Sequence, residues 1–298
     1  MPSFIVPERI RVALVLGSGG VRGMAHVGVI EELEKAGIPI DLIVGCSAGS
    51  MVGALYADNP NVEAIKAAVW SIRTNLLLDI DLWNCRYGLS QARTMRKIFD
   101  QYLSVHTFEQ LKIPLVVVTT DLNSGELVPI ASGNLDHAVV ASCSIPLLYV
   151  PCDHGGRVLV DGGVINPIPV RVAKDLGAEF IIAVDLCELL PKTFPTNLFG
   201  IAARSAEIAF LWQTEHCARG ADIVIRPKTS GIGIFNDKMK CKIYEAGKVA
   251  AQAHIPRIKQ ALAELESKNG GVQCGWKYVT LNPYPPQIYC EELEYAED

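Results

Sequence analysis

Short, wholly apolar runs alternate along this chain with longer segments in which apolar residues recur every three or four positions. "VALVL", Val12–Leu16, runs straight into a glycine turn, as expected of a strand buried on both faces. Val27, Ile30 and Leu33 then fall at helical spacing, with Gly37 just past the end, so a helix is expected over Val21–Ala36. The pair repeats: "DLIVG" predicts a second buried strand, and Ser47 to about Ala57 the next helix. Val62, Ile65, Val69, Ile72 and Leu76 predict an amphipathic helix, and Leu76–Trp83 breaks its period. "LSQARTMRKIFDQYL" resumes a helix, with Ser90 as its expected cap.

Further along, "IPLVVVTTDLNSGELVPI" predicts two strands joined by a turn at Asn123-Ser124-Gly125. "DHAVVASCSIP" predicts a helix stopped by Pro146, "RVLVDGG" a strand entering a loop, and "VRVAKDLGA" a helix stopped at Gly177. "EFIIAVDL" and "ADIVIRP" complete the predicted strands. A last helix is expected over about residues 237–267 with a break at Pro256, and beyond Asn269 a loosely ordered, proline-containing acidic tail. Strands and helices in alternation, several strands apolar on both faces, predict an α/β fold with a mostly parallel sheet flanked by helices.

Half of the 298 residues are hydrophobic, enough for a large core. The formal charge of −5 and the lack of any lysine/arginine run argue against nucleic acid as a partner. The nine cysteines are odd in number and form no CxxC pair. They predict free thiols in a reducing cytoplasm rather than disulfides or a metal site. Prolines and charges at the N-terminus make a poor signal peptide. The longest uncharged run noted, Leu42–Ala57, has 16 residues, short of the ~20 that a spanning helix needs, so a soluble chain is expected.

Three cramped turns carry candidate chemistry. In "GCSAG", Gly45 and Gly49 flank Ser47 at the junction of a predicted strand and helix. Such a turn presents a serine hydroxyl at its tip, beside the helix N-terminus. Cys46 flanks the tip and is read as packing. "GSGGVRG", Gly17–Gly23, fits a dinucleotide loop poorly, because Arg22 stands where the third glycine belongs, and it lacks the lysine of a P-loop. An oxyanion hole from the Gly19 and Gly20 amides fits better, given a nucleophile at the end of the next strand. Arg22 is open to two roles, bracing this loop or holding a phosphate. In "LVDGG", Asp161 ends a strand before Gly162 and Gly163, which leave its carboxylate uncrowded. A serine needs a base, and a Ser–His–Asp triad is the default. None of His26, His106, His137, His154, His216 and His254 stands in an evident catalytic context, and His154 fits a hairpin turn.

In this order, "LGSGGVRGMAHVGVIEELEKAGI", "GCSAGSMVGALYA", "TTDLNSGE", "ASCSIPLLYVP" and "LVDGGVINPIPV" resemble the patatin-like phospholipase family. The resemblance covers about Val12 to Asp185, continues faintly to residue 250, and is nearest to compact bacterial members. It implies a three-layer α/β sandwich over residues 12–265, with catalytic motifs in 12–174 and a tail over 266–298. It also implies a serine acyl-ester hydrolase of lipids, of phospholipase A or lysophospholipase type. In that reading Ser47 is the nucleophile, Asp161 its base without a histidine, and Gly19, Gly20 and Arg22 the oxyanion hole. No cofactor, metal, ankyrin-like, transmembrane or nucleotide-binding extension is expected. A cytoplasmic location is expected, with transient contact to a membrane or micelle; the apolar stretches Leu76–Trp83 and Gly231–Phe235 are open to three roles, lining an acyl cleft, entering a lipid interface or packing on the core.

Overall fold

The computed structural model describes residues 3–72, 79–80, 86–187, 195–229, 237–269 and 275–285. Most of Leu76–Trp83, all of Gly231–Phe235 and the acidic end of the tail lie outside them. Strands β1 (Ser3–Pro7) and β2 (Ile10–Leu16) lead through a 3-10 turn, Gly20–Gly23, into helix α1 (Met24–Lys35). Then follow β3 (Leu42–Cys46), α2 (Ala48–Asp58), α3 (Val62–Ser71) and α4 (Arg93–Tyr102). The central part comprises β4 (Leu115–Asp121), β5 (Leu127–Ile130), α5 (Leu135–Ser142), β6 (Cys152–His154) and β7 (Arg157–Asp161). The rest is α6 (Val170–Asp175), β8 (Ala178–Val184), α7 (Leu198–Cys217), β9 (Ile223–Ile225), α8 (Lys240–Asn269) and β10 (Trp276–Thr280).

The main sheet runs β6-β7-β4-β3-β2-β8-β9, with β5 on β4. Strands β4, β3, β2, β8 and β9 are mutually parallel; β5 and β7 run antiparallel to β4, and β6 runs antiparallel to β7. Alternate residues of each central strand feed different apolar clusters. Val12, Leu14, Leu16, Ile43, Val117 and Ile182 pack with α1, α2, α3 and α8. Ala13, Val15, Val44, Val116 and Ala183 pack with Val170, Val172 and Ala173 of α6. Two helical layers therefore enclose one sheet, and both faces of the strands must be apolar.

Helix α1 is buried around almost its whole circumference because α8 covers it. The two backbones approach so closely that a side chain on Gly28 would start 2.2 Å from the Tyr244 carbonyl oxygen, and one on Gly247 2.2 Å from that of Ala25. This contact also corrects the break expected at Pro256. The helix continues through it, because the missing N–H removes a single hydrogen bond while buried Ile243, Ala251 and Ile258 hold both halves against the core.

Two further expectations change. Ser90 is not the cap of α4: Ala92 is, at φ 55°, and the Ser90 hydroxyl accepts the Ala92 N–H at 3.1 Å. The stretch after Asn269 contains β10, antiparallel to β1, and Tyr284 exchanges backbone hydrogen bonds with Leu127. Phe4, Val6 and Val279 join the cluster on the α6 side, so burial orders both outlying strands. Among the described residues no helix is long and apolar enough to cross a membrane.

Candidate active site

Ser47 occupies the single residue between β3 and α2, at φ 54° and ψ −121°. A non-glycine residue held there stores roughly 1–3 kcal/mol of strain, which the surroundings must offset. The glycines make the turn sterically possible. A Cβ on Gly49 would lie 2.0 Å from the Leu16 carbonyl oxygen, and one on Gly45 2.6 Å from the Ser50 Cα. Hydrogen bonds then pin the serine. Its N–H donates to the Ser142 hydroxyl at 2.9 Å, which donates onward to the Val118 carbonyl at 2.7 Å. The Ser50 hydroxyl donates to the Ser47 carbonyl at 2.6 Å.

Strand register brings Asp161 to this tip. Val118 pairs with Cys46 on one edge of β4 and with Pro129 on the other. Thr119 pairs with Val128 and with Asp161. Since β5 occupies one edge throughout, β7 must continue the edge that β3 leaves, and Asp161 stands one β4 position beyond Cys46. The Ser47 hydroxyl donates to Asp161 Oδ2 at 2.6 Å, and the Gly163 N–H donates to Oδ1 at 2.7 Å. A Cβ on Gly163 would start 3.0 Å from Oδ1 and 2.8 Å from the Ser18 hydroxyl, which explains the glycine. The Asp161 backbone is tied through its N–H to the Ser144 carbonyl at 3.0 Å and through its carbonyl to the Thr120 hydroxyl at 3.0 Å. Burial pushes the Asp161 carboxyl up to about 6, and the bonds from Ser47 and Gly163 oppose that rise. A carboxylate so placed is ionised at neutral pH yet basic enough to take a proton.

The glycine loop is pinned to the same region. The Gly17 N–H donates to the Val184 carbonyl at 3.1 Å, and the Ser18 N–H to the Pro167 carbonyl at 3.0 Å. His26 Nε2 donates to the Gly17 carbonyl at 2.8 Å. Burial holds this imidazole down at about 4, so it stays neutral. Arg22 Nε donates to the Gly19 carbonyl at 3.2 Å, a contact within the loop. Gly20 and Ser47 line one cavity of about 90 Å³, whose walls include Met51, Leu55, Ile72, Met95, Ile145 and Tyr149. The nucleophile candidate thus opens onto an apolar slot of the kind an alkyl chain fills.

Among the six histidines, all described, none hydrogen-bonds Ser47 or Asp161. His106 bonds Asp136, His137 bonds the Asp153 carbonyl and stacks on His154, His216 stacks on Trp212, and His254 bonds the Ala250 carbonyl. Cys46 is buried, and burial raises its thiol well above the ordinary range, so it remains protonated, 3.1 Å from the Ser18 hydroxyl. Among the described residues one trio, Asp100, His106 and Asp136, could gather around a cation, and none of the three lines the cavity. Sequence reasoning passed over Ser142 and Ser50 and gave His26 no role. Their signal was positional: all three lie in quoted motif stretches, "ASCSIP", "GCSAGSM" and "GMAHVGV", but the direction of a side chain's polar atom is set only by packing.

A family model described as Patatin-like phospholipase matches residues 14–174. The Mycobacterium tuberculosis protein named Uncharacterized NTE family protein is 37% identical over 176 residues, covering 59% of this chain and 49% of its own length. The mouse Patatin-like phospholipase domain-containing protein 6 is 35% identical over 181 residues, covering 59% of this chain and 13% of its own. This chain therefore spans about half of the mycobacterial relative and a small part of the mammalian one. Among solved structures, VipD from Legionella pneumophila shares the fold at a TM-score of 0.59 with 14% identity, over 84% of this chain and 67% of VipD. With the matched segment running from the first buried strand past the Asp161 loop and covering more than half of the residues, this chain belongs to the patatin-like phospholipase family.

Proposed function

We propose that this chain is a serine acyl-ester hydrolase of lipids, of phospholipase A or lysophospholipase type, working through a Ser47–Asp161 dyad. The observation that carries the reading is the 2.6 Å hydrogen bond from a strained, buried Ser47 hydroxyl to a carboxylate, at the end of an apolar slot. Asp161 takes the proton as Ser47 Oγ attacks the ester carbonyl. The tetrahedral oxyanion is held by the Gly19 and Gly20 amides, with Arg22 setting the loop through the Gly19 carbonyl. The N-terminus of α2, directly after Ser47, favours the same negative charge. The protonated Asp161 gives its proton to the leaving alcohol or lysolipid. Water, deprotonated by Asp161, then attacks the acyl-serine and releases the fatty acid.

The test is labelling by a fluorophosphonate probe and hydrolysis of p-nitrophenyl esters of graded chain length, beside Ser47→Ala. Labelling and turnover that vanish in the variant support the reading, and turnover unchanged in it sinks it.

The protein is further proposed to work at the cytoplasmic face of a lipid surface, bound peripherally. The support lies in α7 rather than in the apolar stretches named from the sequence. Leu198, Ile201, Ile208 and Trp212 are all exposed and follow helical spacing along one side. The Phe210 ring of the same helix reaches within 3.3 Å of where a Gly163 side chain would begin, so α7 borders the Asp161 loop. Sedimentation with phosphatidylcholine vesicles should fall for Ile208→Glu/Trp212→Glu, and equal sedimentation would remove this surface.

A further inference from the structure

The oxyanion hole proposed above depends on the direction of two backbone N–H groups in a glycine loop, where side-chain packing gives little help. A trans peptide is planar, with its C=O and N–H pointing opposite ways, so a partner on one group sets the direction of the other. Gly19 and Gly20 stand at the start of the 3-10 turn, where N–H groups find no partner within the turn. The plane between Gly19 and Gly20 is held by Arg22, whose backbone N–H and Nε both donate to the Gly19 carbonyl at 3.2 Å. The plane between Gly17 and Ser18 is held at both ends. The Ser18 N–H donates to the Pro167 carbonyl at 3.0 Å, and the Gly17 carbonyl accepts from His26 Nε2 at 2.8 Å. The Gly19 N–H belongs to the one plane between these two. Gly20 sits at φ 59°, in the left-handed region that glycine enters freely, so an unheld plane in this loop turns over at little cost.

His26 is the fastening that packing alone does not explain. Its ring is 0% exposed, and Nδ1 has no hydrogen-bond partner. A carbonyl only accepts, so Nε2 carries the proton and Nδ1 is bare. A buried ring that satisfies one carbonyl and leaves one nitrogen unmet adds little to stability. What it does supply is a permanent donor. Burial keeps the imidazole neutral above about pH 4, so the N–H stays on Nε2 and no cation forms beside the loop. The bond spans nine residues, from α1 back to the end of β2, and ties the loop to the helix that follows it.

We infer that His26 is a positioning residue of the oxyanion hole: its Nε2–H locks the Gly17–Ser18 peptide, so that the next N–H, that of Gly19, faces the ester oxygen at Ser47. The inference rests on the Ser47–Asp161 reading. His26 acts through the backbone and does not line the Ser47 slot.

The test compares His26→Leu with His26→Gln in the full chain, on p-nitrophenyl butyrate, with active sites counted by fluorophosphonate labelling to completion. Leucine removes the donor at similar volume, and glutamine returns an amide N–H at about the reach of Nε2. In His26→Leu, kcat per labelled site should fall about 10- to 100-fold, less than the roughly 10²–10³ that loss of a whole oxyanion donor costs, with KM within about twofold of the parent. Binding of an alkyl trifluoromethyl ketone, which adds to a serine as a tetrahedral oxyanion, should weaken by the same factor. His26→Gln should recover most of the lost kcat. A merely structural role would lower the melting temperature and the labelled fraction and leave kcat per labelled site unchanged. That result, a loss carried by KM alone, or a glutamine variant as slow as the leucine one overturns the inference. Where His26→Leu yields no folded protein, His26→Asn replaces it, since its shorter amide falls short of the Gly17 carbonyl. Turnover that persists in Ser47→Ala overturns the underlying reading instead, whereas turnover lost in Ser47→Ala but full in His26→Leu overturns this inference alone.

Discussion

The half of the site that carries Ser47 is assembled from neighbours in sequence, and the half that carries Asp161 from neighbours in space. Between Leu42 and Asp58 lie the strand, the strained tip, the glycines and the helix that presents the hydroxyl. Asp161 follows 114 residues after Ser47, on an antiparallel strand, and meets it only because β7 takes over the β4 edge where β3 ends. The local half can therefore be damaged by steric change within its own turn. The distant half depends on register and on burial, which together tune its basicity.

The largest effect should come from breaking the distant half. Asp161→Asn is expected to lower kcat by about 10⁴-fold, the scale seen when the acid of a serine triad is neutralised. In the parent, kcat/KM should fall about tenfold per pH unit below pH about 6, because the base is lost on protonation. Stability moves the other way. The folded carboxyl is raised from 3.8 to about 6, so the stability it contributes is full below pH about 4 and is lost as pH rises through about 6. Asp161→Asn should therefore be more stable than the parent at pH 8, by up to about 3 kcal/mol in denaturant melts, with the gain vanishing in acid. A flat pH profile, or no gain in stability, would count against Asp161 as the tuned base.

Next comes the local half. Gly49→Ala places a methyl 2.0 Å from the Leu16 carbonyl oxygen, and neither backbone can give way cheaply. A loss of about 3 kcal/mol, the upper end for overpacking, is expected in equilibrium unfolding, together with loss of activity. Ser142→Ala tests the joint between the halves. It leaves the Ser47 N–H and the Val118 carbonyl unpaired in a buried site, at a cost of about 2 kcal/mol. Its kcat should fall while KM stays close to the parent value, as befits a residue that positions the nucleophile. The smallest effect is assigned to His154→Ala, whose ring stacks on His137 away from the Ser47 slot. Activity should stay within about threefold of the parent; a loss rivalling that of Asp161→Asn would restore a triad.

Helix α8 shows where reading along the chain misleads. A proline at position 256 is locally a stop, yet buried neighbours on both sides carry the helix through. The same applies to β10, which stands between a glycine-containing stretch and a proline-containing one and is ordered by pairing with β1 at the far end of the chain. In both cases an energy spread over long-range contacts outweighs a preference confined to a few residues.

The candidate site divides in the same way. Periodicity and glycine placement were enough to mark the buried strands, the Ser47 turn, the glycine loop and the Asp161 loop, because backbone sterics leave such turns few alternatives. They were also enough to indicate α/β layering, since only strands buried on both faces are apolar at every position. That Asp161, the base already expected from the resemblance, lies within hydrogen-bond distance of Ser47 while none of the six histidines does was decided by the fold, as were the contacts of Ser142, Ser50 and His26. A hydrogen bond depends on ångström-scale distance between groups far apart in the chain, and only strand register and close packing set that distance.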